Sequence, residues 1–371
     1  MPEPVIALSP GGLDIPRSSQ RPPAEVYDVA LLDLDGVVYL GGSAVAGAPE
    51  ALAEARRRGM RLAFVTNNAS RSPSAIAAQL TALGVPAATT EIVTSAQAAA
   101  RLIADRLPPG APVLVVGGIG LRIALREHGL RPVSTALERP AAVVQGYGPD
   151  VGYQLLAEAG LAVGAGAWFV ASNTDATLPT ARGLQPGNGS LVQVIVTATG
   201  RQPVVAGKPE RPLHAEAVAR TAASRPLVVG DRLDTDIEGA VRAGADSMLV
   251  LTGVTRPADA VLAPAHQRPT YLARDLSGLL GPHLPVARKG NAFRCGGWTA
   301  RLVSRAAGGD GRAADGSAAD GGRQPARLEI AGAGAAIDGL RALCAAAWSA
   351  GAVNAVCAQS ARAAVGRLAR E

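Results

Sequence analysis

The segment Asp33-Leu34-Asp35-Gly36 places two carboxylates two residues apart, directly after the apolar run VALL, with a glycine that lets the chain turn away sharply. In extended backbone the side chains at i and i+2 share a face, so Asp33 and Asp35 are expected together at the carboxyl edge of a sheet. Two anions at one edge invite a cation. Magnesium prefers oxygen ligands and bridges protein carboxylates to phosphate oxygens, so one carboxylate can bind metal and attack phosphorus while the other exchanges a proton with the leaving group. An Asp-Gly pair also makes an ordinary turn, so this motif alone does not carry the chemistry.

Three further segments add to it. In FVTNN, Thr66 and Asn67 follow a second apolar run and offer a hydroxyl and amide donors to phosphate oxygens. In AGKP, Lys208 stands in a loop where a cation offsets the charge of a phosphate and two aspartates. In PLVVGDRLDTDIEGA a third apolar run ends in Asp231, which is expected at the same sheet edge as a metal ligand. Asp234 and Asp236 are read as helix caps or as groups that hold a ligand in place.

These motifs need a parallel sheet to position them. Apolar runs alternate with helical patterns: VYDVALL and RLAFVT read as strands, Pro49 to Arg58 and Ser74 to Leu83 as helices. The rhythm breaks at Pro108-Pro109-Gly110, continues through PVLVVGG, AAVVQGY and WFVAS, and resumes at VVAGKP. The expected fold is therefore α/β: a doubly wound, Rossmann-like parallel core over residues 25–108 and 202–285, with an α/β domain inserted over 109–201. Residues 1–24 lack periodicity and read as a flexible tail. From residue 286 to 371 the segment NAFRCGGWTARLVS suggests a strand pair and Ile337 to Leu368 two helices, a small α+β extension divided by a low-complexity linker at 305–326.

Taken in order, DLDGVVY, FVTNN, AGKP and GDRLDTDIEGA resemble the four motifs of the haloacid dehalogenase superfamily of phosphohydrolases, and the long insert resembles the subgroup with a large α/β (type C2) cap. The resemblance covers residues 26 to about 284. It implies that Asp33 is a nucleophile forming an aspartyl-phosphate, and that Asp35 is the general acid and base and lends its backbone carbonyl to Mg2+. Asp231 completes the protein ligands, Thr66, Asn67 and Lys208 bind the phosphoryl group, and Asp236 steadies the metal shell. The loop SNTDATLPTARG resembles the substrate-facing loop of such caps, which makes Asn173, Thr174 and Asp175 candidates for contacting the leaving group. The extension is similar to the acetyltransferase-like region carried by actinobacterial glycerol 3-phosphate phosphatases, although no acetyl-coenzyme A loop is visible. A homodimer through the cap is also raised by the resemblance, without a signature of its own in the residues.

Composition narrows the partners. The 371 residues are 48% hydrophobic but only 3% aromatic, which leaves few rings for base stacking, and the Arg residues behind the net charge of +6 are scattered rather than massed in an arm. Nucleic acid is not expected, nor membrane insertion, since no run of about 20 apolar residues occurs. Three cysteines are too few for a disulfide framework, and the first residues lack an export pattern, so the expected setting is the cytoplasm. Tyr147, Tyr153, Trp168 and Phe169 are the only aromatics between Leu107 and Lys208, which favours a small polyol phosphate over a nucleotide or pyridoxal phosphate; the resemblance implies that this small phosphorylated metabolite is glycerol 3-phosphate, with phosphoglycolate, a nucleoside monophosphate or pyridoxal phosphate as the alternatives. A non-catalytic binding protein on this fold would be expected to lack Asp33 or Asp35, and both are present.

Overall fold

Val29–Leu32 is apolar and buried at every position, the mark of a strand covered on both faces. The computed structural model, which describes residues 13–180, 182–303, 326–350 and 356–368, places it inside a six-stranded parallel sheet. The order across that sheet is Tyr271–Ala273, Asp246–Val250, Pro226–Gly230, Val29–Leu32, Arg61–Thr66, Ile92–Thr94. The chain runs outward from Val29–Leu32 to one edge and later outward from Pro226–Gly230 to the other. Its direction therefore reverses between those two strands, and the crevice beyond their carboxyl ends is where open α/β sheets bind ligands.

Alternation along the strands feeds two apolar layers. Ala30, Leu32, Leu62 and Phe64 face one side, and Val29, Leu31, Ala63 and Val65 the other. The second layer is shared with a five-stranded parallel sheet, ordered Val204–Val205, Trp168–Ala171, Ala142–Gln145, Pro112–Val116, Arg131–Val133. The helix Ser95–Ala104 touches strands of both sheets, and alanines at 96, 98, 99 and 100 keep it slim enough to be buried on nearly every side. Its start is closed by a reciprocal cap: the Gln97 N–H donates to Thr94 Oγ1 (3.3 Å), and the Thr94 N–H to Gln97 Oε1 (2.9 Å).

Two expectations shift. Val204–Val205, read as the resumption of the core, pairs in parallel with Val170 and Ala171 and so extends the inserted sheet. A two-residue strand has too little pattern to reveal its partner. The flexible tail expected over 1–24 does not hold for residues 13–24. The Arg17 N–H donates to Thr270 O (2.9 Å), Ser19 exchanges backbone bonds with His283 (3.0 and 2.8 Å), and Pro23–Val26 is helical. Backbone pairing, the Arg17–Asp246 ion pair (3.0 Å) and the burial of Pro16, Pro23 and Ala24 hold this segment, at positions that follow no helical or strand period. Residues 1–12 and nearly all of the linker expected at 305–326 lie outside the described residues.

The extension builds a four-stranded antiparallel sheet, Ala287–Lys289, Ala292–Cys295, Trp298–Val303 and Arg327–Gly332, with the helix Ala336–Trp348 on one face. That face (Phe293, Trp298, Ala300, Leu328, Ile330) and the helix form one cluster with Ile237, Leu249, Ala260 and Leu272 of the first domain. Polar contacts seal the joint. The Trp348 indole N–H donates to Ala260 O (3.1 Å), and buried Arg341 donates to Leu272 O (2.8 Å) and Asp338 Oδ1 (2.6 Å). No helix among the described residues is long and apolar enough to cross a membrane.

Trp348 is 1% exposed and sits in this joint, so Trp348→Ala should cost about 3–5 kcal/mol through the cavity it leaves. Urea unfolding of the full chain measures this, and a loss below about 1 kcal/mol would mean that the extension is only loosely docked.

Candidate active site

Two strands that neighbour each other across the reversal end in acids. Asp33 follows Leu32 and donates its N–H to Val229 O (2.8 Å), while Asp231 follows Gly230 on the adjacent strand. A wide helical turn, Leu233–Ile237, in which the Ile237 N–H reaches back five residues to Arg232 O (3.2 Å), brings Asp236 to the same place. One carboxylate oxygen from each of Asp33, Asp231 and Asp236 lies within 4.8 Å of the others.

Lys208 enters between them. Its Nζ donates to Asp33 Oδ1 (2.5 Å), Asp236 Oδ1 (2.7 Å) and Val65 O (3.3 Å), which uses all three of its donors in a position only 4% exposed. Burial works to discharge this ammonium, but Asp236 and Asp33 outweigh it and hold the Lys208 pKa above its ordinary value. Asp33 is pushed up to about 7, first by burial, with the charges of Asp236 and Asp231 acting in the same direction and Lys208 against them. Burial and Asp236 push Asp231 up to about 6.

With all three carboxylates ionised, three acids and one ammonium leave two negative charges unbalanced. Asp231 Oδ2 accepts the Val254 N–H (2.6 Å), but Asp231 Oδ1 is buried without a hydrogen-bond partner, a position that normally has one. A hard divalent cation fits this donor set. The backbone is drawn in tightly around it: a Cβ on Gly253 would lie 2.0 Å from Asp231 Oδ2, and one on Gly36, at φ +87°, 2.6 Å from Asp231 Cγ.

Asp35 stands apart from this cluster, at the exposed lip beyond the strand. Partial burial raises its pKa, opposed by the Gly41 and Gly36 amides, which suits a group that must hold a proton. Thr66 ends its strand, with Oγ1 accepting the Asn68 N–H (3.1 Å) and the hydroxyl proton left to donate.

Asn67 is used differently from what its type suggests. Its Oδ1 accepts the Lys208 N–H (2.8 Å), and its Nδ2 donates to Lys208 O (3.1 Å) and Asp175 Oδ2 (3.3 Å), so the side-chain amide is committed to protein partners. Asn67 O accepts from Asn173 Nδ2 (2.7 Å) and Ser95 Oγ (2.6 Å). The loop Asn173–Asp175 of the inserted domain is thereby clasped to the core beside Lys208. Burial raises the pKa of Asp175, while Arg232, Asn67 and Lys208 oppose the shift. Thr174 is not brought there. It is exposed and borders a separate recess of about 390 Å3.

Reading the sequence missed four residues. Gly253 makes room for Asp231 and the Val254 N–H holds it, and the TG pair after the strand DSMLV was the available signal. Tyr39 lies near Asp35 and Asp33, and its phenol is pushed up to about 12 by burial and those charges. His214 is buried in the helix Arg211–Thr221, with both ring nitrogens unpaired and its pKa lowered to about 4, chiefly by burial and secondly by Lys208.

A model of the haloacid dehalogenase-like hydrolases matches residues 30–131, and a second model, described as HAD-hydrolase-like, matches residues 205–279. The chain is 53% identical over 256 residues to D-glycerol 3-phosphate phosphatase of Mycobacterium tuberculosis, a match covering 69% of this chain and 72% of that protein. It is 40% identical over 234 residues to the 5'-nucleotidase YutF of Bacillus subtilis, covering 62% of this chain and 90% of that one. The crystal structure of glycerol phosphate phosphatase Rv1692 from Mycobacterium tuberculosis in complex with magnesium is similar at a TM-score of 0.79 and 42% identity, over 95% of this chain and all of that chain.

A dication must displace whatever protons burial holds on Asp33 and Asp231, at about 7 and about 6. The shifts are upward, so the protonated forms dominate below them, and cation affinity should rise with pH through that window and level off above about pH 8. Calorimetry in two buffers of different ionisation enthalpy should count more protons released at pH 6 than at pH 8, whereas equal counts would mean that both groups are already ionised. Gly253→Ala should force Asp231 aside and weaken cation binding by about tenfold or more, about 1.4 kcal/mol; unchanged affinity would show that the loop simply yields.

Proposed function

Because the chain belongs to the haloacid dehalogenase-like hydrolases, we propose that it is a magnesium-dependent phosphatase that cleaves a small phosphate monoester, glycerol 3-phosphate, through an aspartyl-phosphate. The observation that carries this reading is the junction of Asp33, Lys208, Asp236 and Asp231, with its surplus negative charge and its unpartnered Asp231 oxygen.

Asp33 attacks phosphorus through the oxygen that Lys208 leaves free, forming the acyl-phosphate bond as the ester P–O bond breaks. Protonated Asp35 gives its proton to the departing alkoxide, which leaves as the alcohol. The Asp35 carboxylate then takes a proton from water as that water attacks phosphorus, the Asp33–phosphorus bond breaks, and phosphate departs. Lys208 and the Thr66 hydroxyl offset the charge on the transferred group. Bound magnesium, held by Asp33, Asp231 and the Asp35 carbonyl, would neutralise charge between the carboxylates and the phosphoryl oxygens. Asp236 takes part through Lys208: its Oδ1 accepts the ammonium and its Oδ2 the Arg232 N–H (3.1 Å), which leaves it a supporting role.

Asp175 presents the polar wall that a small polyol would meet, and buried Asn173 holds it there, accepting the Asp175 N–H (3.2 Å) and donating to Asn67 O (2.7 Å). Support for glycerol 3-phosphate comes from that wall, from the exposure of Tyr153 (84%), and from the Mycobacterium tuberculosis relative. A nucleoside monophosphate is the second reading, favoured by the Bacillus subtilis relative alone.

Phosphate release with magnesium should be fastest from glycerol 3-phosphate in a panel with phosphoglycolate, pyridoxal phosphate and nucleoside monophosphates. Asp33→Asn should lower it by at least ~1000-fold with an unchanged circular dichroism spectrum, since the near-isosteric swap deletes only the nucleophile. A different preferred ester would replace the substrate and keep the chemistry; substantial turnover by the variant would refute the covalent step.

A further inference from the structure

We propose that the C-terminal extension carries a second ligand site, remote from the hydrolytic centre, for a small molecule bearing several phosphate groups. The antiparallel sheet has two faces, and only one is spent on packing. Along Trp298–Val303, Trp298 and Ala300 point into the core, so Thr299 and Arg301 point away from it; along Arg327–Gly332, Leu328 and Ile330 point in, and Arg327 and Glu329 point away. The helix Ala358–Leu368 packs along this outer strand, tied to it by the Ser360 hydroxyl, which accepts the Leu328 N–H (2.7 Å) and donates to Leu328 O (3.2 Å). Between sheet and helix lies a cavity of about 1040 Å3.

Its lining is selective. Gln359, Ala363 and Arg367 are spaced by four residues and so share the helix face that borders the cavity. Small residues at Gly297, Gly332 and Ala363 make the room, and among the described residues Arg301, Arg327 and Arg367 supply three guanidinium groups against one carboxylate, Glu329. Arg367 spends one N–H on Ile330 O (3.2 Å) and keeps the rest of its fork. Guanidinium pairs bidentately with phosphate oxygens, and three of them around one cavity suit several phosphates better than one. Among the described residues no aromatic side chain lines the cavity to stack a base, which argues against single-stranded nucleic acid. The volume is at the upper end for a small-molecule pocket.

The test is calorimetric titration of the full-length protein with inorganic tripolyphosphate, in chelator and at physiological salt so that no metal bridges the anion to the hydrolytic centre. Saturable binding to the unmodified protein is expected, weakened by at least ~10-fold in Arg301→Ala/Arg327→Ala, where two charge-assisted contacts are lost. The double variant should hydrolyse the preferred ester at the unmodified rate, and Arg301→Lys/Arg327→Lys should keep most of the affinity. Equal binding by the double alanine variant would put the anion elsewhere and overturn the proposal. So would binding to the unmodified protein no tighter than that of sulfate at equal ionic strength. If the alanine variant unfolds, the lysine variant decides: it must bind tripolyphosphate more tightly than sulfate for the proposal to stand.

Discussion

The buried ammonium of Lys208, held between Asp33 and Asp236 with Asp231 alongside, imposes the constraint that the rest of the molecule satisfies. Removing an ion from water costs several kcal/mol even in real protein interiors, and it is tolerated only where every donor finds an acceptor in good geometry. Here Val65 O supplies the third acceptor, and Asn67 fixes the lysine backbone on both sides, through its N–H and its carbonyl. Yet the pairing is unequal, because three acids face one base. The reversal of chain direction in the first sheet brings Asp33 and Asp231 to adjacent strand ends, so the fold gathers more negative charge than the lysine neutralises. That surplus is what makes the junction a place for a cation rather than a closed ion pair.

Much of this was readable in the sequence, for a physical reason. Asp33, Thr66 and Asp231 each stand at the end of an apolar run, and in a parallel sheet the ends of buried strands converge on one edge. Lys208 follows a run of only two strand residues, so its loop could be marked but not the sheet to which that run belongs. What a side chain does after arrival was harder to read. Asn67 has the composition of a phosphate donor, but its partners lie 108 and 141 positions along the chain, and no local pattern announces them. Thr174 sits in the expected loop yet faces outward, because one residue of backbone rotation separates it from Asn173 and Asp175. Gly253 matters only because Asp231 approaches it, a fact of space rather than of spacing.

The extension shows the same limit. The strand pair and the helices could be read from NAFRCGGWTARLVS and the alanine-rich run after it, but neither pattern says against what they pack. The answer is the first domain itself. Ile237, at the end of the turn that carries Asp236, belongs to the same apolar cluster as Trp298 and Trp348, and the partly buried Leu233 and Leu251 pack against it. The loops that hold two of the site's carboxylates are thus backed by the extension's core, and close packing transmits a displacement on one side to the other. The extension is a wall of the catalytic domain as well as a unit with its own surface.

Asn67 ties the inserted domain to the core with the same amide that fixes Lys208, yet the two jobs rest on different bonds. A displacement of the Asn173–Asp175 loop would cost Asn67 its contacts with those two residues and leave its bonds to the Lys208 N–H and carbonyl in place. The register of the lysine therefore does not depend on the clasp: the inserted domain can be gripped or released while the charge beside Asp33 stays where it is.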